Sequence, residues 1–156
     1  MLEERPPSSS QRDVPVVIFA NEFFDALPVE VLSTKGSLRI AYEGGRLAET
    51  WTVASPEELE YLDRYSVQPE PGERVEACLR ALEYMKQIAA AVKHGFIAIV
   101  DYGYTREELL AGRHRGTIMT YRQHSASANP YEAPGEQDIT AHVNFTALAS
   151  VATQNG

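Results

Sequence analysis

The sequence predicts an α/β domain containing half of a doubly wound sheet, interrupted by an antiparallel β-meander. Two unbroken apolar, β-branched runs carry the first part of this reading: 14–20 (VPVVIFA) and 96–100 (FIAIV). A strand with no in/out alternation is expected to be covered on both faces, as in a parallel sheet flanked by helices. A long helical pattern and a glycine precede the second run, which gives the helix-strand order of an α/β crossover. The third observation is a set of short strand-like segments between the two runs, joined by glycine-bearing links.

The elements follow in order. Residues 1–13 (MLEERPPSSSQRD) are polar and rich in Pro and Ser, and are expected to be a disordered lead-in ahead of a domain over 14–156. They hold no apolar stretch of the kind a secretory signal needs. In the first strand Pro15 sits near the start, where a missing N–H is tolerable. Segments 29–33, 38–42 and 47–53 form the expected meander, with links TKGS and EGGR. Ser55-Pro56-Glu57-Glu58 predicts a helix start with an N-cap Ser, Pro at the first helical position and Glu at the third, and the helix ends near Tyr65. Pro69 and Pro71 make 67–72 irregular.

A long helix is predicted over 74–93, with Val75, Cys78, Leu82, Met85, Ile88, Ala89 and Val92 along one face. Glu73 and Glu76 at its start are explained by the helix dipole, and Cys78 by the core. After the second apolar run, Thr105-Arg106-Glu107-Glu108 is another capping box, and Gly112 stops that helix. Residues 117–122 read as a strand, 124–138 as a long surface loop holding Pro130, Pro134 and Gly135, and 145–152 as a last helix capped by Asn144.

Composition narrows the function. The 156 residues hold 14 Lys+Arg and 22 Asp+Glu, a net charge of −8, which disfavours nucleic acid as a partner. No run of 18 apolar residues is present, so no membrane span is expected. The one cysteine suits a reducing compartment. The four His show no metal-ligand spacing, and no metal is expected. His124, His142, Arg113, Arg115 and Arg122 read as rim or surface groups. No G-x-S-x-G is present, which argues against an α/β-hydrolase.

Open α/β sheets bind ligands outside the carboxyl ends of their strands. That rule singles out Asn21, Glu22 and Asp25 after the first run, and Asp101 and Tyr102 after the second. The plain alternative is that these are ordinary polar strand exits, with Asp25 capping a short turn and Asp101 satisfying loop amides.

Residues 20–29 (ANEFFDALPV) resemble a signature of the MidA-like family of S-adenosylmethionine-dependent methyltransferases. Three further blocks resemble the same family in the same order: 95–104 (GFIAIVDYGY), 116–124 (GTIMTYRQH) and 134–145 (PGEQDITAHVNF). The resemblance implies a class I (Rossmann-like) methyltransferase fold. It also implies transfer of a methyl group from S-adenosyl-L-methionine to an arginine side chain of a protein, and mitochondrial members that assist assembly of respiratory complex I. The strand before Asn21 corresponds to the fourth of that fold. No G-x-G follows a buried strand upstream, so the chain is expected to be the C-terminal part of such an enzyme, without the N-terminal half that carries the main cofactor loop.

On that footing Glu22 and Asp25 are the candidate catalytic pair. Carboxylates hold a guanidinium in plane and draw its charge away from the attacking nitrogen. Asn21 is assigned to the cofactor, and Phe23, Phe24, Asp101 and Tyr102 to the substrate, with the phenylalanines excluding water or stacking on the flat cation. The competing reading is a non-catalytic binding or assembly module that keeps the substrate-facing surface without S-adenosyl-L-methionine. The expected location is the cytoplasm in a bacterium and the mitochondrion in a eukaryote, although no transit peptide is visible. An exposed strand edge predicts association of the chain with itself or with the missing half.

Overall fold

The computed structural model describes residues 14–112, 116–122, 125–127 and 129–155. The expected lead-in (1–13), Arg113, His114, Arg115 and His124 lie outside the described residues.

The two apolar runs pair as expected. Strand β1 (Val16–Asn21) lies parallel to a strand at Gly95–Val100, in a register that sets Ile18 beside Ile97, Ala20 beside Ile99 and Asn21 beside Val100. Gly95 opens the second strand at φ +149°, where an added Cβ would sit 1.7 Å from the Val16 carbonyl oxygen, so this close approach excludes any side chain. The expectation of burial on both faces is corrected. Ala20, Ile97 and Ile99 pack on the core, whereas Val17, Phe19, Phe96 and Val100 are exposed on the other face.

The meander forms a twisted antiparallel sheet of β2 (Glu30–Ser33), β3 (Gly36–Glu43) and β4 (Arg46–Thr52). Its links turn through glycines at positive φ: Gly36 at +107°, Gly44 at +57° and Gly45 at +82°. A further strand, β5 (Val75–Ala77), pairs antiparallel with β2 and completes the order β4-β3-β2-β5.

Helix α1 (Pro56–Tyr65) begins with both halves of the predicted capping box, Ser55 with Glu58. Because β5 takes residues 75–77, the predicted long helix is shorter than expected: α2 is Leu79–Ala91. Cys78 is its N-cap residue and is half-buried, with its Sγ 3.5 Å from the Pro28 carbonyl oxygen.

Strand β6 is the Gly95–Val100 strand; β7 (Gly103–Tyr104) and α3 (Arg106–Ala111) follow, the helix opened by the Thr105–Glu108 capping box. Strand β8 (Met119–Arg122) pairs with β9 (Ser125–Ser127) and β10 (Asp138–Thr140). The segment expected to be one long loop therefore contains strand β9 and leads into β10. Strand β11 (Val143–Asn144) pairs parallel with β7, and the Asn144 side chain caps α4 (Phe145–Asn155) by accepting from the Ala147 amide at 3.0 Å. The core lies among α1, α2, α4, β2 and β5, around Leu32, Tyr61, Leu62, Ala77, Met85 and Leu148. Among the described residues no helix is long and apolar enough to cross a membrane.

Candidate active site at the carboxyl ends of the parallel pair

The parallel ladder runs one step past β1, with the Glu22 amide donating to the Val100 carbonyl oxygen at 2.9 Å. There the backbone turns sharply. Glu22 sits at φ 47°, and among the described residues it is the one non-glycine in the left-handed region. Such a conformation costs a glutamate about 1 kcal/mol or more and persists only where neighbouring bonds enforce it.

Asp101, at the end of β6, supplies that enforcement. Its Oδ2 accepts from the amides of Phe23 (3.2 Å) and Phe24 (2.9 Å), and its Oδ1 accepts from the Tyr102 amide (3.1 Å). The carboxylate thus joins the exits of both strands. The turn closes as the Leu27 amide donates to the Phe24 carbonyl at 3.3 Å. Two later segments tie in: the Ala141 amide donates to the Asp25 carbonyl (2.9 Å) and the Val143 amide to the Tyr102 carbonyl (2.7 Å).

Asp25 is buried within this turn. Burial pushes its carboxyl pKa up, and the negative charges of Asp101 and then Glu22 push it further, against partial relief from the amides of Ala26 and Asp25. Asp25 therefore senses the other two carboxylates in one corner of the molecule.

The expected site residues separate on this geometry. Asn21, Glu22, Phe23 and Tyr102 are exposed at the strand ends, beside buried Asp25 and the clamping Asp101. Phe24 is 3% exposed and belongs to the core, so its assignment as a stacking surface is corrected: a ring with no free face cannot meet a cation. Phe23 is 40% exposed and meets the rings of Phe24 and Tyr84 edge to face, at 5.1 and 5.5 Å between centroids. Asp101 acts on loop amides, the simpler of the two roles read from the sequence. The His142 amide donates to the Thr117 hydroxyl (3.0 Å), and its ring stands 6.3 Å from that of Tyr104. Among the described residues no group of three His, Cys, Asp or Glu is arranged to hold a metal ion.

Sequence reasoning missed a groove of about 950 Å³ that starts beside the turn, at Ala26, Leu27 and Pro28. It runs between the β4-β3-β2-β5 sheet and the β10-β8-β9 sheet. Arg74 binds Glu49 in its wall through two parallel bonds of 2.8 and 2.6 Å, and the Tyr131 hydroxyl donates to the same carboxylate at 3.0 Å. Glu76 also lines the groove; it is buried and takes the Thr117 amide (2.9 Å) and hydroxyl (3.1 Å). It lies on a strand, so the helix-dipole explanation for it is withdrawn. These partners are 25, 41 and 82 residues apart, and no local signal joins them.

Residues 2–156 match the family described as "putative S-adenosyl-L-methionine-dependent methyltransferase". The chain belongs to that family. It is 28% identical over 152 residues to the protein arginine methyltransferase NDUFAF7 homolog, mitochondrial, of Drosophila melanogaster, covering 90% of this chain and 33% of the fly protein. It is also 28% identical over 149 residues to the protein arginine methyltransferase NDUFAF7, mitochondrial, of Xenopus tropicalis, with the same coverage. The chain thus spans about a third of the length of these curated relatives.

Among solved structures it resembles a "likely methyl transferase" from Burkholderia thailandensis bound to S-adenosyl-homocysteine. The TM-score is 0.75 and the identity 26%, over 92% of this chain and 38% of that one. A second, uncharacterized protein of the same superfamily and organism shares the fold, with a TM-score of 0.77 at 24% identity over 92% of this chain and 40% of that one. The MidA-like resemblance read from the four sequence blocks agrees with these matches.

Proposed function

We propose that this chain is the C-terminal part of a class I, Rossmann-like methyltransferase, with the β2–β4 meander as an excursion from its main sheet, and that it modifies an arginine side chain of a protein. The observation that carries the reading is Glu22. It is a strained acidic residue at the carboxyl end of a parallel strand pair, beside Asp101, and open sheets generally bind ligands at such ends, which supports the reading. The names of the fly and frog relatives support arginine as the acceptor and the mitochondrion as the location in a eukaryote; in a bacterium the location is the cytoplasm. The MidA-like resemblance points to a respiratory complex I subunit as the eukaryotic substrate.

The residues present fit one edge of the cofactor. Asn21 offers an exposed amide at the sheet end, Phe23 and Tyr84 offer partly exposed rings, and nearby carboxylates favour a sulfonium cation. When bound, S-adenosyl-L-methionine would supply the methyl group, its carbon–sulfur bond breaking as the carbon–nitrogen bond forms and S-adenosyl-homocysteine leaving. Asn21 would hold that edge by hydrogen bonding. Glu22 binds the guanidinium through paired, charge-assisted hydrogen bonds and fixes its plane. Phe23 covers the flat cation and keeps water out. The guanidinium nitrogen that accepts the methyl group would have to lose a proton. A carboxylate oxygen of Asp25, whose proton affinity burial and two like charges raise, takes it. Tyr102, exposed at the same end, borders the substrate.

The test is Glu22→Gln in the full-length enzyme, assayed by methyl transfer to an arginine peptide. The expected loss is tenfold or more, since a charged hydrogen bond is worth about 1.5–3 kcal/mol. Activity within about threefold of the parent rejects Glu22 as the guanidinium anchor.

A further inference from the structure

We infer that the groove between the two antiparallel sheets seats an extended polypeptide segment of the substrate, apolar residues in the groove and a basic residue at its end. The inference rests on the reading of Glu22 and Asp25 as a cation site and adds what lies on either side of that cation.

Three observations choose the occupant. First, the groove and the carboxylate turn are continuous. Ala26, Leu27 and Pro28 line the groove and directly follow Asp25, while β10 in the facing wall runs into Ala141, whose amide is bonded to the Asp25 carbonyl. A chain laid along β10 is therefore led to the carboxylates. Second, β10 is an end strand, paired among the described strands with β8 alone. An end strand offers backbone groups to an added extended segment, with pockets for alternate side chains supplying selectivity. Ile139 on β10 faces the same groove as Ile40 and Leu47 of the other sheet, and all three are exposed.

Third, the charge suits a basic segment. In the groove Arg74 is neutralised by Glu49 and Glu76 is buried on Thr117, so no unpaired cation among the described lining residues repels a basic segment, and the chain as a whole carries −8. A second copy of the chain would bring another −8 against the first. A small molecule has no use for the strand edge.

The experiment measures fluorescence anisotropy with the full-length enzyme and three labelled synthetic peptides. One has a central arginine flanked by valine and leucine, one has the same arginine flanked by serine and glycine, and one keeps the apolar flanks with alanine in place of arginine. The apolar-flanked arginine peptide is expected to bind at least about tenfold more tightly than the polar-flanked one, as burial of even one aliphatic side chain would give. Ile40→Glu and Ile139→Glu, one from each wall, are each expected to remove that preference. Glu22→Gln is expected to remove the preference for arginine over alanine and to keep the preference for apolar flanks.

Equal binding of the two arginine peptides, or no binding of either, overturns the groove inference. If the arginine preference survives in that case, the cation site stands without the groove. A flank preference with no arginine preference overturns the cation site and leaves the groove a docking site for apolar segments. Dimerisation in sedimentation that Ile40→Glu abolishes assigns the groove to a second copy and overturns the inference. If a glutamate variant does not fold, the flank comparison on the unaltered enzyme decides.

Discussion

Replacing Asp101 by alanine tests whether one carboxylate holds the two strand exits together. Three amides lose their acceptor: Phe24 at 2.9 Å, Tyr102 at 3.1 Å and Phe23 at 3.2 Å. The bond to Phe24 is partly buried and counts as a charge-assisted hydrogen bond, worth about 1.5–3 kcal/mol. The other two are exposed, so water replaces the carboxylate and each contributes about 0.5 kcal/mol. Against this sum of about 3 kcal/mol, release of Glu22 from φ 47° returns about 1 kcal/mol of backbone strain. The net cost is about 2 kcal/mol. With a urea dependence of about 2 kcal/mol per molar for a chain of this size, the unfolding midpoint falls by about 1 M. Circular dichroism and the fluorescence of Trp51, on the distant β4 strand, report the transition independently. A midpoint within about 0.3 M of the parent refutes the clamp, because the arithmetic leaves no route to so small a change.

Other outcomes follow from the same geometry. Asp25 has a raised pKa in the folded state, so its ionisation opposes folding: the stability is fully present below the ordinary aspartate value of about 3.9 and is lost as pH rises through the folded value. Asp25→Asn is therefore expected to be more stable than the parent in urea titrations at pH 7 and no more stable near pH 3; an equal midpoint at pH 7 contradicts it. Glu58 behaves in the opposite sense. Its burial alone would raise its pKa, but the Ser55 amide, the Ser37 hydroxyl and Arg39 together hold it below the usual range. Its contribution is present above the ordinary glutamate value and is lost as pH falls through the folded value. Glu58→Gln is expected to cost about 2 kcal/mol at pH 7, with the gap to the parent closing below about pH 4. Phe19→Lys with Phe96→Lys is expected to abolish concentration-dependent association of the isolated chain in sedimentation, since both rings stand on the bare face of the parallel pair. A parent chain that is monomeric at every concentration contradicts this.

Local chemistry was legible from the sequence. The Ser55–Glu58 and Thr105–Glu108 caps are each spelled within four residues, and both form as written. The hairpin glycines, the two apolar strands and their parallel pairing follow from patterns whose range is one element or one crossover. The placement of Asp101 beside the turn after Asn21 follows as well, because parallel strands bring their carboxyl ends together. What failed has a long-range cause. Val75, Cys78, Leu82 and Met85 keep helical spacing, yet β2 offers a strand edge to which Val75, Glu76 and Ala77 pair, and burial of all three decides in favour of a strand. Residues 125–127 and 138–140 have little strand character of their own and take it from β8 between them. Phe23 and Phe24 are chemically identical neighbours; only the direction of the turn sends one to solvent and the other to the core.

The bare face of β1 and β6 bears on the site itself. In the observed register Val17 lies beside Phe96, Phe19 beside Ala98 and Asn21 beside Val100, so the apolar face runs directly up to the strand ends from which Glu22 projects. A run of this kind is written for cover on both faces, and the core of this chain supplies cover on one. Any further polypeptide that packs on Val17, Phe19 and Phe96 therefore ends beside Asn21 and becomes a wall of the cleft. The consequence is physical. A carboxylate facing open water binds a guanidinium weakly, because exposed ion pairs are worth about 1 kcal/mol or less, whereas the same pair in a closed, water-poor cleft is worth several times more. Cover of the apolar face and strength of the proposed cation site are therefore coupled. A double-lysine change on that face is expected to weaken arginine binding in the complete enzyme, although neither residue touches the substrate.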